Sequence, residues 1–214
     1  MNHGYFFLIA CWILLILVYF HWLDFMWKDK QSPSLWRRWC GIGISVLIIS
    51  QVLYLPISPS ISVNVGSALL LSGLVLYQLW VMDSSVRLQM LSVILFLGIF
   101  IAVSYEIFYL DPILMVAEPF YLLPSFLVLF LLLTTGSLKQ QWLMMLGGFI
   151  LGEILHKCFM LPYVSKVYIG DAEFRDMLMM GLIMMTISTF TLKGLTKAYK
   201  ESLKRLIFFK KQEG

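Results

Sequence analysis

Charged residues are scarce in this 214-residue chain, in which Asp, Glu, Lys and Arg together make up 13% of the sequence. Hydrophobic residues make up 60%, and the mean hydropathy is +0.87. Ordinary soluble domains carry about 25% charged residues, so this composition excludes that class. The net charge of +4 is small and does not indicate a nucleic-acid partner.

Motifs for catalysis and cofactor binding are also missing. The sequence contains no Walker A, GxGxxG, HExxH or GxSxG pattern. The three cysteines, Cys11, Cys40 and Cys158, fall in or beside different apolar runs without CxxC spacing, which predicts free thiols. We therefore expect no cofactor and no bound metal, and we expect a protein that is not an enzyme.

Long apolar runs fill most of the chain. A helix that crosses a bilayer needs about 20 predominantly apolar residues, and about seven such segments are present. They predict an all-α, polytopic membrane protein that contains a bundle of about seven transmembrane helices. The predicted spans are 4–23, 40–55, 63–82, 88–110, 119–135, 142–161 and 176–195.

The distribution of cations between the loops predicts the orientation of the bundle. With the N-terminus outside, 13 of the 16 Lys and Arg residues fall on the cytoplasmic side. Lys157, Lys166 and Arg175 remain outside. Cytoplasmic loops are enriched in Lys and Arg, so this bias favours an outside N-terminus and a cytoplasmic C-terminus.

Two regions follow from this pattern: a transmembrane domain over 1–195 and a basic tail over 196–214. The tail carries Lys197, Lys200, Lys204 and Arg205, and apolar residues recur beside them at helical spacing. This pattern predicts an amphipathic helix on the cytoplasmic membrane surface, where anionic lipid attracts basic segments. An ordinary determinant of topology explains the same cations.

The sixth predicted span carries three ionisable residues, Glu153, His156 and Lys157. Ionisable residues are costly at membrane depth and are the first place to look for function. Glu106, late in the fourth span, is the ionisable neighbour that we expect from another helix. Three interpretations stay open: an i,i+4 pair between Glu153 and Lys157 that neutralises itself, a site that handles protons or substrate, and a metal site. The single Glu-x-x-His spacing supports a metal site poorly, since di-iron bundles need it twice.

The same span contains a GxxxG pair, Gly148 and Gly152. Small residues at this spacing let two helix backbones approach closely, so we expect a helix–helix contact there. The opposite, wholly apolar arc predicts a lipid-facing surface. It consists of Leu143, Ile150, Leu151, Ile154, Leu155 and Cys158.

The overall plan resembles the YphA-like membrane proteins of Bacillota. The resemblance rests on a first helix that opens at His3-Gly4-Tyr5-Phe6-Phe7, a Trp-rich and basic first loop from Trp27-Lys28 to Arg37-Arg38, and a basic tail. It implies a multi-pass protein of the bacterial plasma membrane without a defined reaction. The resemblance supplies no catalytic residues.

Two functional hypotheses come from these observations. The first is a non-enzymatic membrane protein that supports envelope assembly or acts as a scaffold, with the lipid bilayer and another membrane protein as partners. The alternative is a small transporter or proton-coupled carrier that uses Glu106, Glu153 and His156. An intramembrane enzyme that uses the same residues is a weaker alternative.

Overall fold

A computed structural model describes residues 4–22, 33–110 and 118–212 of the chain. The expected cytoplasmic cations Lys28 and Lys30, and the side chains of Lys204 and Arg205, lie outside this description. Seven helices and three short strands account for most of the described residues. In chain order they are α1 (Tyr5–Tyr19), α2 (Pro33–Ser50), β1 (Tyr54–Ser58), β2 (Ile61–Asn64), α3 (Leu71–Val81), α4 (Ser84–Leu110), α5 (Pro119–Thr134), α6 (Leu138–Met160), β3 (Val167–Ile169) and α7 (Ala172–Gln212).

Three of these helices are long and apolar enough to cross a membrane within the part of the chain that the structure describes. They are Ser84–Phe108 in α4, Leu138–Met160 in α6, and Ala172–Lys200 in α7. Tyr5–Tyr19, Val65–Val81 and Pro119–Thr134 are shorter apolar helices. The helices lie where the sequence predicts apolar spans, although several boundaries differ by a few residues.

The ends of the helices gather at two opposite ends of the bundle. At one end, which we call the sheet end because it carries the three strands, the start of α1 meets the start of α7 through hydrogen bonds from Gly4 and Phe7 to Asp176. At the other, which we call the loop end, Arg87 at the start of α4 donates to backbone carbonyls of Trp80 and Met82 at the end of α3. Contacts at the ends of α2, α4, α5 and α6 follow the same pattern, so consecutive helices run in alternating directions.

A three-stranded sheet at the sheet end is the main departure from the predicted all-helical fold. Strand β1 pairs antiparallel with β2, with Tyr54 opposite Asn64, and β2 pairs parallel with β3, with Ile61 opposite Val167. The chain then continues from β2 into a π-helical turn, Val65–Leu70, before α3 begins. The sheet thus joins the connection between α2 and α3 to the connection between α6 and α7.

The core of the bundle centres on α6, which packs closely against α4. A Cβ atom added at Gly148 would lie 2.7 Å from Leu97 Cβ, and one added at Gly152 would lie 2.7 Å from Ile101 Cβ. Carbon atoms in favourable contact are about 3.5–4.0 Å apart, so only glycine fits this approach. The two glycines allow the backbones of α4 and α6 to come close together.

The predicted lipid-facing arc of α6 is wrong in part. Leu143 and Ile150 belong to the buried core, whereas Ile154 and Cys158 are exposed. Because α6 is central in the bundle, its first half is surrounded by other helices on nearly all sides. Only the half towards the sheet end has an exposed face.

Helix α7 continues without a break from Ala172 to Gln212, through the position where we predicted the tail to begin. At about 1.5 Å per residue, its 41 residues extend about 60 Å, twice the thickness of a hydrocarbon core. Residues 191–200 are all exposed. The basic tail is therefore a helical extension of the last apolar helix beyond the loop end.

Candidate functional site at the sheet end

Helix α6 brings its three ionisable residues to the sheet end, on the last turns before Met160. Glu153 is buried with only 3% of its surface exposed. Its Oε1 atom lies 3.7 Å from Lys157 Nζ, one helical turn further on, and accepts a hydrogen bond of 3.4 Å from the Gly170 backbone N–H. The carboxylate therefore joins α6 to the segment between β3 and α7.

Lys157 makes its shorter contact with a residue outside its own helix. Its ammonium group donates to Asp171 Oδ2 at 2.7 Å, against 3.7 Å for Glu153. The other oxygen of Asp171 accepts from the Phe174 backbone N–H at 3.0 Å, which caps the start of α7. One carboxylate thus binds both the end of α6 and the first turn of α7.

His156 faces α4, where it meets Glu106. Its Nδ1 atom lies 3.2 Å from Glu106 Oε1. The imidazole ring also stacks on Tyr105, with ring centroids 4.5 Å apart and planes 20° from parallel. The structure therefore brings all four predicted residues into one region, as two pairs: Glu153 with Lys157, and His156 with Glu106.

A small cavity of about 40 Å³ lies among these side chains. A cavity needs at least about 10–15 Å³ to hold one water molecule, so this cavity has room for only one to a few of them. Its lining comes from α4, α6 and the start of α7: Tyr105, Glu153, His156, Lys157, Asp171, Glu173 and Phe174.

Beside this cavity an open groove of about 570 Å³ runs along the surface of the sheet end. His156, Lys157 and Asp171 line both spaces. The groove also contains Lys166, whose ammonium lies 5.2 Å from the centroid of the Tyr168 ring. The polar group is therefore close to the molecular surface, although Glu153 itself is buried.

A second polar cluster, which the sequence analysis missed, fixes the sheet to the bundle. Asn64 donates to the Gln51 carbonyl at 2.8 Å and accepts from the Ser67 N–H at 2.9 Å. The Ser67 hydroxyl donates to the Gly170 carbonyl at 2.8 Å. Arg175 donates to the Gln51 side chain at 2.7 Å. These residues tie α2, β2, the segment after β3 and α7 together.

Gly170 lies between the two polar clusters, in a conformation that favours glycine. Its φ is +76°, in the left-handed region. A Cβ atom there would lie 2.5 Å from Ser67 Oγ. Its N–H and carbonyl are bonded to Glu153 and Ser67 respectively, so this one backbone unit connects the two clusters.

The carboxylate of Asp176 on α7 binds the start of the first helix, α1. Its two oxygens accept from the backbone N–H groups of Gly4 at 2.6 Å and Phe7 at 2.7 Å. These are among the N–H groups that the first turn of a helix leaves without a partner. No local pattern predicts this contact, because Asp176 lies 169 positions after Phe7 in the chain.

The remaining predicted site residues lie elsewhere. Gly148 and Gly152 face α4, as described above, and Lys197 and Lys200 are exposed on the extension of α7. Among the described side chains, no group of three or more His, Cys, Asp and Glu residues is arranged to hold a metal ion.

Apolar helices of membrane-crossing length, a glycine-packed core and ionisable residues enclosed by protein define a helical integral membrane protein. The family model described as "YphA-like integral membrane protein" matches residues 3–213, and the chain belongs to that family. No curated protein and no solved structure matches the chain.

Proposed function

We propose that this chain is a multi-pass protein of the bacterial plasma membrane that crosses the bilayer seven times, with the sheet end outside. The alternating directions of the helices support this number of crossings. The cations support the orientation, because Lys157, Lys166 and Arg175 belong to the sheet end, whereas more cations belong to the loop end. Those at the loop end are Arg37, Arg38, Arg87, Lys139, Lys193, Lys197 and Lys200.

Cysteine labelling in intact cells tests this topology. In a background without Cys11, Cys40 and Cys158, a membrane-impermeant maleimide should react with Tyr163→Cys, since Tyr163 is 85% exposed at the sheet end. Lys200→Cys should react only after the cells are opened. The reverse pattern would contradict the orientation. Labelling of both variants in intact cells would contradict an odd number of membrane crossings between Tyr163 and Lys200.

We further infer that the protein acts as a non-enzymatic scaffold or envelope-assembly partner. The observation that carries this proposal is the enclosure of Glu153, which is 3% exposed and contacts both Lys157 and the Gly170 N–H. The neighbouring cavity has room for only one to a few water molecules, which does not suit a substrate. In this interpretation the role of the polar group is structural, because its contacts attach the sheet and the start of α7 to the helix bundle.

Three variants test whether the group is structural. Lys157→Leu should be the most destabilising, because it leaves the buried carboxylate of Glu153 without its cation, at a cost of about 3–5 kcal/mol. Glu153→Leu should cost less, since Lys157 keeps Asp171 at 2.7 Å. The double variant should recover part of the loss of Lys157→Leu. The free energy of unfolding of all three variants is measured on the purified protein in detergent. If the losses of the two single variants simply add in the double variant, the structural interpretation is contradicted.

A small transporter or proton-coupled carrier is the second candidate. The observation in its favour is that His156, Lys157 and Asp171 line both the open groove and the small cavity, so the groove leads towards Glu153. A carrier that uses Glu106, Glu153 and His156 predicts a double variant, Glu153→Leu with Lys157→Leu, that folds at normal yield and has no activity in a complementation assay. A fully active double variant excludes this candidate.

A further inference from the structure

Strand β1 projects from the rest of the sheet. Among the described residues the strands lie in the order β1-β2-β3, so β1 forms one edge. In β2, Ser62, Val63 and Asn64 are all buried, which means that protein covers this strand on both faces. In β1, by contrast, residues 54–57 are all exposed. Strand β1 therefore contacts whatever surrounds the protein at this level.

The length of α2 places the sheet within the bilayer. Arg38 is the last cation on α2, and Lys and Arg side chains stay at the boundary of the hydrocarbon. The 12 residues from Trp39 to Ser50 extend about 18 Å, whereas the hydrocarbon core is about 30 Å thick. The helix thus ends, and the chain continues into β1, before the core has been crossed.

Helix α6 gives a similar depth independently of α2. Its cation at the loop end is Lys139, and Glu153 lies 14 residues further on, which corresponds to about 21 Å. Glu153 accepts from the backbone N–H of Gly170, the residue that follows β3. Both helices therefore place the sheet about 20 Å from the boundary at the loop end, in the leaflet at the sheet end.

The composition and surface of this part of the chain fit lipid. Residues 39–82, which include α2, the β1–β2 hairpin and α3, contain no Asp, Glu, Lys, Arg or His. Large apolar side chains are exposed in series from α2 into β1, at Val46, Ile49, Leu55 and Ile57. Exposed apolar patches mark contacts with membrane or protein. Because this series begins on a helix that enters the bilayer, lipid is the partner that it fits.

We propose that β1 lies at the boundary between the headgroups and the acyl chains of the leaflet at the sheet end, with Leu55 and Ile57 against the acyl chains. An unpaired strand edge does not lie in dry hydrocarbon, since its backbone groups need hydrogen bonds. The leaflet therefore becomes thinner around β1, as it does around short hydrophobic segments, and brings water and headgroups to the edge. Pro56 suits this edge because it has no N–H. The proposal requires only that the bundle crosses the bilayer, and it holds in either orientation.

The accessibility of a nitroxide label in vesicles tests this placement. The label is attached to Leu55→Cys or Ile57→Cys in the full-length protein without Cys11, Cys40 and Cys158, reconstituted in dioleoyl phosphatidylcholine vesicles. Electron paramagnetic resonance measures collisions of the label with molecular oxygen, which concentrates among acyl chains, and with a neutral nickel chelate, which stays in water. Both reagents are present on both sides of the membrane, so the result does not depend on the orientation of the protein.

Two other positions serve as controls for this measurement. Ile49→Cys represents the exposed face of α2, and Tyr163→Cys represents water, because Tyr163 follows the end of α6 and is 85% exposed. The ratio of oxygen to nickel collisions at Leu55 and Ile57 should be at least several-fold higher than at Tyr163 and should approach the ratio at Ile49. A ratio equal to that at Tyr163 would place β1 in water, and exclusion of both reagents would mean that protein covers β1. Either result overturns the proposal.

The wild-type protein allows a second measurement that needs no substitution. It is reconstituted in vesicles that contain a phosphatidylcholine with a diazirine near the ester end of one acyl chain. Illumination should attach lipid to the segment that contains Leu55 and Ile57, at a yield at least several-fold above that at residues 162–166, which follow α6. Equal yields in the two segments would contradict contact between β1 and the acyl chains.

Discussion

Adding one methyl group at Gly152 should separate helices α4 and α6. In Gly152→Ala the new Cβ atom would lie 2.7 Å from Ile101 Cβ and 3.2 Å from the Gly98 carbonyl oxygen. The helices have to move apart by roughly 1 Å to restore ordinary contact distances of about 3.5–4.0 Å. Since the backbone on both sides is helical, neither atom is the end of a flexible side chain that can move away.

Overpacking of this kind typically costs about 1–3 kcal/mol. Alanine also favours a helix over glycine by about 0.5–1 kcal/mol, which offsets part of that loss. We therefore expect Gly152→Ala to lower the free energy of unfolding by about 1–2 kcal/mol. For a chain of this size, that loss corresponds to a melting temperature lower by about 2–8 °C.

The same substitution at Gly73 is the matched control. An added Cβ atom at Gly73, inside α3, meets no other atom of the described residues within 4 Å, so only the gain in helix preference remains. Gly73→Ala should therefore leave the melting temperature unchanged or raise it by a few degrees. Both variants are measured by thermal unfolding of the purified protein in the same detergent. Equal melting temperatures for the two variants would refute the close approach of α4 and α6.

Two further substitutions test the contacts at the sheet end. Asp176→Asn keeps only one acceptor oxygen for two backbone N–H groups. It should therefore lower the free energy of unfolding by about 1–3 kcal/mol and speed hydrogen exchange at the Phe7 amide. The control, Glu173→Gln on the same turn, should leave exchange at that amide unchanged. Gly170→Ala introduces a side chain at φ +76° and 2.5 Å from Ser67 Oγ. It should lower stability by about 1–3 kcal/mol, and a melting temperature equal to that of the wild type would contradict the strained position of Gly170.

The sequence predicted the positions of the helices because each contains an apolar run, but it predicted their ends poorly where polar residues continue a helix. Helix α2 begins at Pro33, seven residues before the predicted start at residue 40, because Pro33 suits the first turn and Arg37 and Arg38 lie on the helix. The sheet was missed because β1 and β2 have only five and four residues and lie at or beside the ends of the apolar runs that predict helices, so that periodicity alone does not distinguish them.

The contact within α6 and the presence of Glu106 beside it could be expected from the sequence, whereas the contact with the segment after β3 could not. The i,i+4 spacing of Glu153 and Lys157 puts them side by side on any helix, and the structure has them 3.7 Å apart. The shorter contact of Lys157 is with Asp171, which the sequence analysis did not assign to the group. That pairing depends on the path of the chain through β3, which no local pattern determines.

We propose that the polar group at the sheet end is structural and does not carry protons. Glu153→Gln tests it directly, because glutamine keeps an oxygen for the Gly170 N–H but cannot exchange a proton, and Lys157 keeps Asp171. The measurement is complementation of a deletion strain by Glu153→Gln, at membrane abundance and melting temperature matched to the wild type. A structural role of the polar group predicts full complementation. Loss of complementation in a variant that is as abundant and as stable as the wild type would contradict it.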